Sequence, residues 1–73
     1  MIDPWEKAAE CEQAIRACAD AERKLILENL RDLWVSIGNE KAVGMSDWGT
    51  QAALAAELHA EIIKSAQRPP PAG

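Results

Sequence analysis

The run Lys24-Leu25-Ile26-Leu27-Glu28-Asn29-Leu30-Arg31-Asp32-Leu33-Trp34-Val35-Ser36-Ile37 is the only stretch with enough large side chains to nucleate a core. On a helix, Ile26, Leu27, Leu30, Leu33, Trp34 and Ile37 share one broad face, the spacing of an amphipathic helix packed on others. Leu25 and Val35 fall outside that face. A helix that is apolar on more than one side needs neighbours on more than one side, so this segment reads as the central element of a small all-α assembly.

At 73 residues the chain makes one domain. A chain of that length buries only about 60–65% of the surface its unfolded form exposes, so it calls for a disulfide, a metal or oligomerisation in support. Two cysteines are too few for a disulfide framework. No basic, apolar leader and no bilayer-length apolar run is visible, which predicts a cytoplasmic protein with reduced thiols and no membrane attachment. The net charge is −4, and acids outnumber bases in both halves. Nucleic-acid binding draws its affinity from Lys and Arg on phosphates, so a nucleic-acid partner is not expected.

Asp3-Pro4-Trp5-Glu6 is a helix start: Asp3 accepts bonds from first-turn amides, Pro4 suits the first helical position, and Glu6 has the capping-box spacing. The face that follows is Trp5, Ala8, Ile15 and Ala19, flanked by Cys11 and Cys18, and it is thin. At Ala19-Asp20-Ala21-Glu22 two readings compete. Either Asp20 caps a new helix and the chain folds back as a hairpin, or the helix runs unbroken to Ile37 at roughly 50 Å and requires a second copy beside it. The spacing Ala8-x-Glu10-Cys11, Asp20-Ala21-Glu22 and a leucine-rich segment closing on Trp34 resembles a class of short, uncharacterised helical proteins of bacteria, mostly alphaproteobacteria. Those proteins commonly have Asp-Pro-Glu where this chain has Asp-Ala-Glu, with the Pro at a helix boundary. The resemblance implies the hairpin and carries no activity.

Gly38-Asn39 is expected to end the central helix. Ser46 offers the next N-cap, and Gly49 is expected to let Trp48 or a neighbouring helix sit close. The last helix should present Trp48, Gln51, Ala55, Leu58, Ile62 and Ala66. Arg68 to Gly73, with three consecutive prolines, is expected to be an extended, disordered tail. The fold expected is a three-helix up-down-up bundle over Pro4–Ala19, Asp20–Ile37 and Asp47–Gln67 within a domain of residues 1–67. The alternative is a long helix plus a short one in a dimeric bundle.

Cys11 and Cys18 lie about 10 Å apart along a helix and so cannot bridge to each other, and their spacing matches no zinc motif. With His59 they form the one candidate set for a metal- or redox-responsive regulator. His59 by itself reads as a boundary residue. Glu28 with Asp32, and Glu57 with Glu61, are acid pairs on polar helix faces without the Glu-x-x-His spacing of di-iron bundles. There is no nucleophile elbow and no phosphate loop, so neither enzyme activity nor a cofactor is expected. Tryptophan supplies large contact areas in binding hot spots, and three in so short a chain stand out. The expected function is a non-enzymatic protein–protein interaction module or homodimer, with Trp5, Leu25, Leu27, Trp34, Val35 and Trp48 as the candidate contact residues.

Overall fold

A computed structural model describes residues 2–67 of the chain as three α-helices: α1 over Pro4–Ala17, α2 over Ala21–Ala42 and α3 over Trp48–Gln67. The expected proline-rich tail lies outside the described residues. The Asp3 side chain accepts the Trp5 amide at 3.0 Å, and Pro4 stands in the first turn of α1, as the sequence requires. The chain breaks at Asp20, so the long-helix alternative does not form. Cys18 (φ −92°, ψ 125°) and Asp20 (φ −87°, ψ 119°) are both extended, and Asp20 Oδ1 accepts the Glu22 amide at 3.0 Å. Neither residue needs a positive φ, which explains a tight reversal made without Gly or Pro.

The central helix runs past Gly38-Asn39 to Ala42, correcting the expected stop. It ends instead in a Schellman closure around Gly44 at φ +80°, where the Gly44 amide reaches the Lys41 carbonyl at 3.1 Å and the Met45 amide the Glu40 carbonyl at 3.0 Å. Gly38 has another use. A Cβ there would stand 2.6 Å from Cε2 of Trp5, so the missing side chain lets the indole lie on the helix backbone. Gly49 has open space where its Cβ would be, so the close approach expected there is not made. The last helix starts one residue later than expected, with the Asp47 carbonyl taking the Gln51 amide at 3.2 Å.

Contacts between helices set the topology. Trp5 lies on Gly38 and Glu12 pairs with Arg31, so α2 runs antiparallel to α1. Lys41 Nζ stands 5.0 Å from the Trp48 ring centroid and Trp34 meets His59, so α3 runs antiparallel to α2. The result is the expected all-α, three-helix up-down-up bundle. Its core is Ala8 and Cys11 from α1, Leu27, Leu30, Trp34 and Ile37 from α2, and the small Ala52 and Ala55 from α3. Large side chains come almost wholly from α2, and alanines on α3 let it approach closely. Among the described residues, no helix is long and apolar enough to cross a membrane.

Gly38 yields a prediction. Gly38→Ala gains about 1 kcal/mol in helix propensity and must displace the Trp5 indole, which is itself half exposed. The expected result is a stability change within about 1 kcal/mol together with greater acrylamide quenching of tryptophan fluorescence. Unchanged quenching would show that Trp5 does not rest on Gly38.

Candidate functional site

The three helices bring one polar cluster together inside the core. His59 of α3 is only 4% exposed, which corrects its expected place at the boundary of the apolar face. The indole Nε1–H of Trp34 donates to His59 Nδ1 at 3.0 Å, with the two rings edge to face at a centroid distance of 5.8 Å. Cys11 Sγ lies 3.6 Å from the same nitrogen. Since Nδ1 accepts, the ring proton sits on Nε2, which faces Glu10 Oε1 at 3.6 Å, beyond hydrogen-bond length and with no other partner. Burial holds His59 below its ordinary pKa; the Glu10 carboxylate opposes this, and the Lys7 charge reinforces it.

A thiol, an imidazole and a carboxylate in sequence have the composition of a nucleophilic triad, but the chemistry does not follow. The Cys11 thiol is fully buried, and that burial, with Glu10 nearby, pushes it up to about 11. The lone pair that would take its proton is already bonded to Trp34. Cys18 belongs to a different neighbourhood, at the end of α1, with its thiol 3.4 Å from the Asp20 carbonyl. The set Cys11, Cys18 and His59 is therefore not assembled, because the Cys18 side chain turns to the reversal rather than to the core. Among the described residues, no group of three or more His, Cys, Asp or Glu side chains is placed to hold a metal ion.

The two thiols should separate cleanly. With iodoacetamide at mildly alkaline pH, the native protein is expected to take one label, at half-buried Cys18, and a second only in denaturant. Labelling of Cys11 at a comparable rate in the native protein would mean that the core opens readily around it.

The surface offers more. Opposite α1, the groove between α2 and α3 is lined by Ile26, Leu30, Leu33, Leu54, Leu58 and Ile62. Leu54 is 64% exposed, Leu58 49%, Ile26 48% and Leu33 37%. These side chains succeed one another along two adjacent helices and so form a continuous apolar strip rather than scattered residues.

The candidate contact residues fare unequally. Leu27 and Trp34 are wholly buried in the chain's own core, so neither is available to a partner in this form. Val35 is half buried against that core, and Trp48 is half buried beneath Lys41. Trp5 and Leu25 are exposed. Ile26, Leu33 and Leu58 have the spacing of buried positions and Leu54 does not, yet all four are exposed. Among the described side chains of α3, Ala52, Ala55 and His59 are buried, so the true inner face is rotated away from Gln51 and Leu58, both of which are exposed. The apolar surplus expected from sequence fell on Leu25 and Val35 instead, because which side of each helix is covered depends on where α1 lies.

No known protein family matches this chain, and neither a curated protein nor a solved structure matches it.

Proposed function

We propose that the chain is a small, non-enzymatic helical interaction module that works by presenting the α2–α3 groove to another helix. The observation that carries this reading is the uncovered strip of Ile26, Leu33, Leu54 and Leu58 beside a core with few large side chains. A contiguous apolar surface on so small a domain is costly in water, and covering it supplies the support that a short chain lacks. The polar cluster around His59 has the opposite character, being buried and closed.

The test is photo-crosslinking in cells with a crosslinking amino acid at position 54 or 58, against controls at the exposed α1 positions Ala9 and Gln13. Discrete adducts from the groove positions alone, with a second copy or another chain, are expected. Absence of adducts at the groove, or equal yields from α1, would overturn the reading.

A further inference from the structure

The charge around the groove says what kind of helix it takes. Glu57 and Glu61 each stand three residues after a groove leucine, Leu54 and Leu58, and Glu22 stands one turn before Ile26, so all three carboxylates border the strip. All are exposed and, among the described residues, none makes an ion pair. The nearby cations are fewer. Arg23 lines one end of the groove but is held by Asp20 at 3.6 Å, leaving Lys64 as the cation on the α3 border.

We propose that the occupant is an amphipathic helix from another chain whose apolar stripe is flanked by Lys or Arg. This deepens the reading of the groove as a docking surface and rests on it. Leucines of the incoming helix fill the spaces between Leu33, Leu54 and Leu58, and its flanking cations meet Glu57 and Glu61 on one side and Glu22 near one end. A second copy of this chain fits less well: it carries the same acidic border and a net charge of −4, so pairing like with like brings carboxylates together.

The probes are two designed peptides with identical leucine spacing, one with lysines and one with glutamates at the flanking positions, titrated calorimetrically into the full chain. The lysine peptide is expected to bind and to weaken as salt rises, while the glutamate peptide does not bind. Glu57→Gln with Glu61→Gln should weaken the lysine peptide about five- to tenfold, on the scale of two exposed ion pairs. The same change at Glu6 and Glu28, away from the groove, should alter it less than about twofold. Leu54→Ala with Leu58→Ala should abolish binding, with the helical circular dichroism preserved.

Sedimentation under the same conditions separates the failures. A dimer that is lost in the leucine variant, or equal binding of both peptides, overturns the basic partner but leaves the groove as a docking surface. Loss of lysine-peptide binding equally in the Glu6/Glu28 control means non-specific charge attraction and also overturns it. A monomer that binds neither peptide overturns the groove reading itself.

Discussion

Trp34→Ala is expected to remove a large part of the chain's stability. Trp34 is completely buried at the junction of the three helices and is the largest side chain of the core. Removing a buried aromatic costs about 3–5 kcal/mol, whereas a chain of this size has a total stability of about 4–11 kcal/mol. The neighbours cannot readily close the gap, because Ala52 and Ala55 on α3 are too small to fill it and Cys11 is held on a separate helix. Urea titration followed by far-ultraviolet circular dichroism measures the effect. Trp34→Phe keeps most of the volume but removes the donor to His59, so it should fall between the wild type and the alanine variant. A cooperative transition in Trp34→Ala within about 1 kcal/mol of the wild type would show that the core is not organised around this residue.

The second large effect concerns His59. His59→Leu leaves the Trp34 indole N–H buried without an acceptor, a loss of about 1–3 kcal/mol, while His59→Gln offers an amide oxygen in its place and should cost less. The wild type should also lose stability on acidification. Burial lowers the folded-state pKa of His59 below its unfolded value near 6.5, so in the intervening window the unfolded chain binds more protons. Stability from this group is full above pH 6.5 and falls as the pH drops through the folded value. The geometry gives the same direction, since a proton on Nδ1 would face the Trp34 N–H that now donates to it. Of the charged neighbours, Glu10 opposes this by favouring the charged ring, and Lys7 reinforces it. Urea midpoints measured between pH 7 and pH 5 should therefore fall in the wild type and stay flatter in His59→Gln. Equal slopes would mean that the acid response comes from other groups.

The first helix start was legible because it rests on local chemistry: Asp3 with Pro4 satisfies its own first-turn amides, and no distant residue is needed to recognise it. Asp20 ahead of Glu22 offers the same local cap, but the sequence left a continuous helix open there as well, and the extended backbone at Cys18 and Asp20 decided for the reversal. The end of α2 was not legible from the same kind of signal. Gly38 looks like a stop when only neighbours in sequence are considered, but it lies against Trp5, thirty-three residues earlier in the chain, and Gly44 makes the left-handed turn instead. The cysteines show the same division. That Cys11 and Cys18 could not bridge followed from helix rise alone, whereas the pairing of Cys11 with His59 depends on α1 and α3 meeting. The groove was not visible in the same way: the surplus apolar residues on the central helix were Leu25 and Val35, whereas Ile26, Leu33 and Leu58, which line the groove, share the spacing of core positions.

By itself, the sequence determined an all-α chain with its large side chains concentrated between Lys24 and Ile37, and left open whether one helix or two precede Gly38. Periodicity, caps and side-chain size are properties of each segment, and they act whatever the segments pack against. Only the tertiary structure decided which apolar faces were covered. With α1 on one side of the α2–α3 pair, Leu27, Trp34 and His59 are enclosed, and Ile26, Leu33, Leu54 and Leu58 are left on the open side. The physical reason is that a helix with a wide apolar arc can satisfy it against more than one neighbour, so the choice rests on the packing of all three helices together.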